Sequence, residues 1–252
     1  MPSAEPTADT APFDLPGSSR AAALCLHGLT GTPYEVRPLG EALSQAGIRA
    51  VGPALPGHNE TPQSLAKVRY QQWLESARVQ LRGLRDRYEV VFVVGLSMGG
   101  LLTLALASEE RVDAAVTVGT PLRLSQPLAT FMPLLKYLVP FPRKRGGSDI
   151  CDPAARSRHP SYEVMPLAAV RQLQHLQRLV RGALGRVTAP LLVAHGAHDT
   201  TADPADSKEI LDRAGSRERE HLILEDSAHV VPVDRDGPRL AAASVDFLTR
   251  YA

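Results

Sequence analysis

Cysteine and net charge are both scarce in this chain, and each scarcity removes a class of protein. Two cysteines in 252 residues cannot build a disulfide framework. Cys25 falls in an apolar run and Cys151 in a polar loop, so both are expected as free thiols in a reducing, cytoplasmic setting. A formal net charge of +1 gives no electrostatic case for nucleic acid or an anionic membrane as partner. No CxxC or HExxH pattern marks a metal site, and no internal repeat is present. Long apolar runs are missing too. Val90 to Ala107 approaches the roughly 18 residues of a membrane span, but Gly95, Ser97, Gly99 and Gly100 interrupt it and no cluster of Lys or Arg flanks it. Residues 1–19 are rich in Pro, Ala, Ser and Thr, carry acids where a secretory signal would be basic, and lack an apolar centre. They read as a flexible tail with a short edge strand near Phe13 to Leu15.

What is present is an ordinary globular composition, 44% hydrophobic and 22% charged, in a length suited to one large α/β domain with an insertion. The most informative stretch is Val90-Val91-Phe92-Val93-Val94-Gly95-Leu96-Ser97-Met98-Gly99-Gly100, followed by the apolar helical run Leu101 to Ser108. Five consecutive apolar residues read as a strand buried on both faces. Passing from that strand to a helix through Gly-x-Ser-x-Gly requires a very tight turn with nearly side-chain-free flanks. Such a turn holds the Ser97 hydroxyl clear of the sheet edge, at a helix N-terminus that favours developing negative charge. A bare Gly-x-Ser-x-Gly arises by chance in roughly one chain in ten of this length. The strand before it and the helix after it supply the specificity, against the alternative of an ordinary Gly-Ser loop.

Further strands are expected at Ala21 to Leu26, Ile48 to Val51, Val112 to Val118, Leu191 to His195 and Leu222 to Leu224. Helices are expected from about Tyr34 to Ala46, from Tyr70 to Arg87 (carrying Trp73, Leu74, Val79 and Leu81) and from about Pro238 to Tyr251. This alternation predicts βαβ units, a mostly parallel central sheet flanked by helices, and chemistry at the carboxyl ends of the strands. Residues 20–120 and 188–252 form the expected core. From 121 to 187 no buried strand is legible, and Leu173, Leu176, Val180 and Leu184 recur at helical spacing, so a small helical cap over the strand ends is expected. Helices packed on the sheet as crossovers are the competing reading.

A serine hydroxyl needs a general base, and the base needs an orienting acid. His229, in the loop after Leu222 to Leu224, and Asp199, in His195-Gly196-Ala197-His198-Asp199, occur in the order Ser, acid, His. His195 and His198 rival the base as polar groups beneath the site; Asp203, Asp206 and Asp226 rival the acid. The amides of Met98, after the nucleophile, and Leu29, after His27-Gly28, would supply the oxyanion donors. His58 would order its loop, His159, His175 and His221 would be solvated, and Arg143, Lys144 and Arg145 would form a solvated basic turn. In the cap, Leu128, Phe131, Met132, Leu134, Leu135, Leu138 and Val139 offer an apolar surface, from which Phe131, Met132 and Leu135 are candidate substrate contacts.

His27-Gly28-Leu29-Thr30-Gly31, Pro56-Gly57-His58, Gly95-Leu96-Ser97-Met98-Gly99-Gly100, His195-Gly196-Ala197-His198-Asp199 and Ser227-Ala228-His229-Val230 together resemble the α/β-hydrolase superfamily. Within it they are most similar to the small bacterial thermostable carboxylesterase and monoacylglycerol lipase group, over nearly the whole chain from about Ala21. The resemblance implies a cofactor-free serine esterase acting on short- to medium-chain acyl esters or monoacylglycerols. Ser97, Asp199 and His229 would be its triad, and Leu29 and Met98 its oxyanion hole. It implies a small-molecule acyl ester as partner, with no nucleic acid and no stable membrane insertion; pairing with a second copy stays open. A C–C bond or lactone hydrolase with the same triad, or a non-catalytic small-molecule receptor on the same fold, are the alternatives.

Overall fold

The computed structural model describes residues 8–124, 139–144 and 146–252. Seven strands form one sheet: β1 (Phe13–Leu15), β2 (Ala21–Leu26), β3 (Arg49–Gly52), β4 (Val90–Leu96), β5 (Ala114–Val118), β6 (Leu191–Gly196) and β7 (Arg219–Leu224). Their order is β1-β3-β2-β4-β5-β6-β7, with β1 antiparallel at one edge and the other pairings parallel. The helices are α1 (Arg37–Gln45), α2 (Pro62–Lys67), α3 (Tyr70–Arg85), α4 (Met98–Glu109), α5 (Pro153–Arg158), α6 (Leu167–Ala183), α7 (Ala205–Arg213) and α8 (Gly237–Thr249).

Side chains alternate across the strands and so build two cores. Ala22, Leu24, Leu26, Val91 and Val93 face the layer of α3, α4 and α6. Ala21, Ala23, Cys25, Phe92 and Val94 face α1 and α8. The central strands are buried on both sides, which is why β2, β4, β5 and β6 are almost continuously apolar. Helix α4 is buried all round from Met98 to Ala107, packed between the sheet and its neighbouring helices. Each fully buried Leu there contributes roughly 1.5–3 kcal/mol. β7 lies at the other edge, and its first residues are exposed and charged, a composition that discourages pairing with other chains. Among the described residues, no helix is long and apolar enough to cross a membrane.

Three features go beyond the sequence reading. Val79 is 57% exposed, because α3 turns Trp73, Leu74, Ala77, Leu81 and Leu84 to the core and leaves Val79 off that face. Helix α2 is not among the elements expected from the sequence; Thr61 caps it by accepting from the Ser64 amide, and Pro62 opens its first turn. Between β5 and β6, α6 packs along α4, and Leu173, Leu176, Val180 and Leu184 join the same core as α3 and α4. The C-terminal part of that helix is therefore a crossover on the sheet, while its first turns reach the strand ends.

Candidate active site

The parallel register decides what meets above the sheet. Leu26 of β2 pairs with Gly95 of β4, so the turn through Leu29 and the turn through Ser97 and Met98 leave adjacent strands side by side. Gly196 of β6 pairs with Leu224 of β7, which brings the loops of Asp199 and His229 together. The two halves converge across β5, whose Val118 carbonyl accepts the Ser97 amide at 2.8 Å.

Ser97 has φ 55° and ψ −115°, the left-handed turn required between β4 and α4. A Cβ on Gly99 would lie 2.0 Å from the Leu26 carbonyl oxygen, so only glycine lets α4 begin this close to the end of β2. That closeness sets the Met98 amide beside the Leu29 turn. As the first residue of α4, Met98 has no intrahelical acceptor for its N–H. Among the described residues the Leu29 N–H also lacks an acceptor.

His229 Nδ1 donates to Asp199 Oδ2 at 2.8 Å, with both side chains buried. The same oxygen lies 2.9 Å from His195 Nε2, and Asp199 Oδ1 accepts the amides of Thr201 (2.9 Å) and Ala202 (2.8 Å). Burial alone would raise the Asp199 pKa, but the His229 charge and these donors hold it far below the usual carboxylate range. For His229 burial works against protonation, yet Asp199, Asp149 and Glu35 together bring its pKa above the ordinary value. Ser97 and His229 line one cavity of about 360 Å³. No hydrogen bond joins the Ser97 hydroxyl to the His229 ring among the described residues; such contacts commonly tighten only in a substrate complex.

The rivals fall elsewhere. His195 lies under Asp199 as a donor, whereas His198 is exposed and not beneath the site. Asp203 and Asp226 are exposed; Asp206 is buried and accepts the amides of Leu122 and Arg123, holding the chain as it leaves β5. His58 does order its loop, through Nδ1 to the carbonyls of Pro56 and Leu55. Phe131, Met132 and Leu135 lie outside the described residues, as do Leu128, Leu134, Leu138 and Arg145. Val139 is 49% exposed.

Two expectations about solvated residues are overturned. The His159 side chain is only 2% exposed, with Nε2 3.1 Å from Glu35 Oε1 and Nδ1 2.6 Å from Ser148 Oγ. Lys144 donates to Thr30 Oγ1 (2.7 Å) and Ser161 Oγ (2.6 Å), and burial brings its pKa down to about 8. Both line the cavity, with Glu35, Ser148 and Ser161 on the same polar side. Leu29, Leu124, Met165, Val170 and Leu173 form an apolar side. Asp149 was also missed: its carboxylate accepts from Thr200 and Thr201 beside the acid, and its carbonyl accepts the His229 amide at 3.1 Å. Spacing gives no hint of Glu35, His159, Lys144 or Asp149, because each is brought to the site by contacts with distant parts of the chain.

The family model described as Hydrolase_4, serine aminopeptidase S33, matches residues 17–236. The chain belongs to this family. It is 30% identical over 236 residues to a thermostable monoacylglycerol lipase of Bacillus sp. (strain H-257), covering 91% of this chain and 90% of the relative. A carboxylesterase of Bacillus subtilis (strain 168) is 24% identical over 240 residues, 95% of this chain and 96% of the relative. Among solved structures, one from work on the metagenome-derived lipolytic enzymes LipS and LipT superposes with a TM-score of 0.91 at 29% identity. It covers 98% of this chain and is itself covered completely. As a Hydrolase_4 protein the chain is an enzyme with the α/β-hydrolase fold, and it groups with the esterases and monoacylglycerol lipases.

Proposed function

We propose that this protein hydrolyses carboxylic esters through a covalent acyl-enzyme formed on Ser97. The observation that carries the reading is the buried His229–Asp199 pair opening on the cavity that also contains Ser97 at the strand-to-helix turn. Ser97 Oγ attacks the ester carbonyl carbon while His229 Nε2 takes its proton, and Asp199 fixes the imidazole with Nδ1 protonated. The carbonyl oxygen becomes an oxyanion held by the Leu29 and Met98 amides. The C–O bond to the alcohol then breaks, the alcohol leaves with the proton from His229, and a water repeats the cycle to release the acid. Lowering the barrier this way needs preorganised donors, and the buried His229 imidazole held by Asp199 supports that reading.

The cavity has an apolar wall and a polar wall, which suits an ester with a short to medium acyl chain and a polar alcohol, as in a monoacylglycerol. The relative named a monoacylglycerol lipase supports the same substrate class. Cys25 and Cys151 are free thiols, in keeping with a reducing, cytoplasmic location. The deciding experiment is a turnover profile over p-nitrophenyl esters of increasing acyl length, monoacylglycerols and lactones, with Ser97→Ala as control. Ester turnover lost on the order of 10⁶-fold in the variant, and covalent fluorophosphonate labelling of the native protein alone, are expected. Unchanged turnover in Ser97→Ala would end the hypothesis.

A further inference from the structure

We propose that Glu35 is a positioning residue for the reaction: it holds, at Gly28, the turn that presents the Leu29 amide, and Lys144 and Ser161 hold the same turn at Thr30. The inference rests on the reading of Leu29 as an oxyanion donor. Glu35 follows that turn by six residues, yet its side chain reaches back to it and is only 4% exposed. Burying a carboxylate is costly unless it is fully hydrogen-bonded. Oε2 accepts the Gly28 amide at 2.9 Å and Oε1 lies 3.1 Å from His159 Nε2. The carboxyl group fills the space above Gly31, where an added Cβ would lie 2.2 Å from it. Burial would raise the Glu35 pKa, but the His159 contact and the Gly28 amide bring it below its ordinary value, so the acceptor stays charged.

On the other side of Leu29, Thr30 has φ 64°, a left-handed conformation that a β-branched residue adopts only when its surroundings impose it. Those surroundings are residues from the segment between β5 and β6. Lys144 Nζ donates to Thr30 Oγ1, Ser161 Oγ donates to the Thr30 carbonyl at 3.4 Å, and the Tyr162 amide donates to that carbonyl at 3.5 Å. Gly28 and Thr30 are therefore both fixed by side chains, and Leu29 between them keeps its N–H free of any acceptor among the described residues. Anchors on both flanks of a free amide fix the direction in which that amide points.

The test uses the full chain, comparing the wild type with Glu35→Ala, Glu35→Gln and Lys144→Met on one p-nitrophenyl ester. Rates are taken on the alkaline plateau of each pH profile, so that a change in His229 titration does not enter. Glu35→Ala is expected to lose on the order of 10²-fold in kcat, as when one oxyanion donor is displaced, with KM changed by less than about threefold. Glu35→Gln keeps an oxygen for the Gly28 amide, but an uncharged one, and is expected to recover about tenfold of that loss. A trifluoromethyl ketone adding to Ser97 generates the oxyanion without turnover. Its affinity should fall across the variants in proportion to kcat/KM, Lys144→Met lying between wild type and Glu35→Ala. Should Glu35→Ala fail to fold, the other two variants carry the test. A full kcat in Glu35→Ala (or, where that variant does not fold, in both Glu35→Gln and Lys144→Met), a loss confined to KM, or ketone affinity independent of kcat/KM would each overturn the proposal. An inactive wild type would instead bring down the esterase reading itself.

Discussion

Asp199 Oδ2 is shared by two imidazoles, His229 Nδ1 at 2.8 Å and His195 Nε2 at 2.9 Å. The carboxylate is thus fixed from below by His195 and aimed upward at His229. Asp199→Asn keeps the shape but can present its amide nitrogen to His229, which favours the wrong tautomer. A drop in kcat of about 10⁴-fold at neutral pH is expected, with correct folding verified by an unchanged near-ultraviolet circular dichroism spectrum. A folded variant within tenfold of wild type would remove Asp199 from the mechanism.

The pH dependence follows from the same pair. In the proposed mechanism His229 must be neutral to accept the serine proton, and Asp199, Asp149 and Glu35 outweigh its burial to bring its pKa above the ordinary 6.5. On the acid side, kcat/KM should therefore climb about tenfold per pH unit, with its midpoint above 6.5 and a plateau beyond. In Asp199→Asn the residual activity should show a lower midpoint. A profile flat from pH 5 to 8 would exclude His229 as the base.

Acid stability is governed partly by a second pair of histidines. His27 and His58 are buried with their rings 4.8 Å apart, and burial lowers both pKa values, that of His58 to about 3. Below pH 6.5 the unfolded chain binds protons at these rings that the folded chain refuses, so stability falls as pH drops. Each such histidine contributes up to about 1.4 kcal/mol per pH unit in that window. His58→Asn, whose amide nitrogen can stand in for Nδ1, should make the urea midpoint measurably less sensitive between pH 6.5 and 4. Equal slopes for variant and wild type would show that His58 already titrates freely in the folded protein.

How much of this was legible beforehand depends on the range of the forces involved. The strands, the turn at Ser97 and the order of Ser97, Asp199 and His229 are written in contiguous residues, since burial on both faces and tight turns impose local composition. Helix α2 escaped because six residues with Leu65 as their only fully buried side chain have no periodicity; Thr61-Pro62 was its sole local signal. His159 and Lys144 read as solvated because polar residues in a Pro- and Arg-rich stretch usually are. Their burial arises from Glu35 and Thr30, more than a hundred positions away. Val79 misled for the opposite reason, an apolar residue whose angle on the helix faces water.

Residue 97 stands at φ 55°, and one backbone torsion there sets durability against turnover. Glycine would occupy that torsion without steric objection, so Ser97→Gly should melt no lower than Ser97→Ala while hydrolysing nothing. The protein keeps a Cβ at a torsion that glycine alone adopts without strain, and under the proposed mechanism the hydroxyl it carries is what that strain sustains.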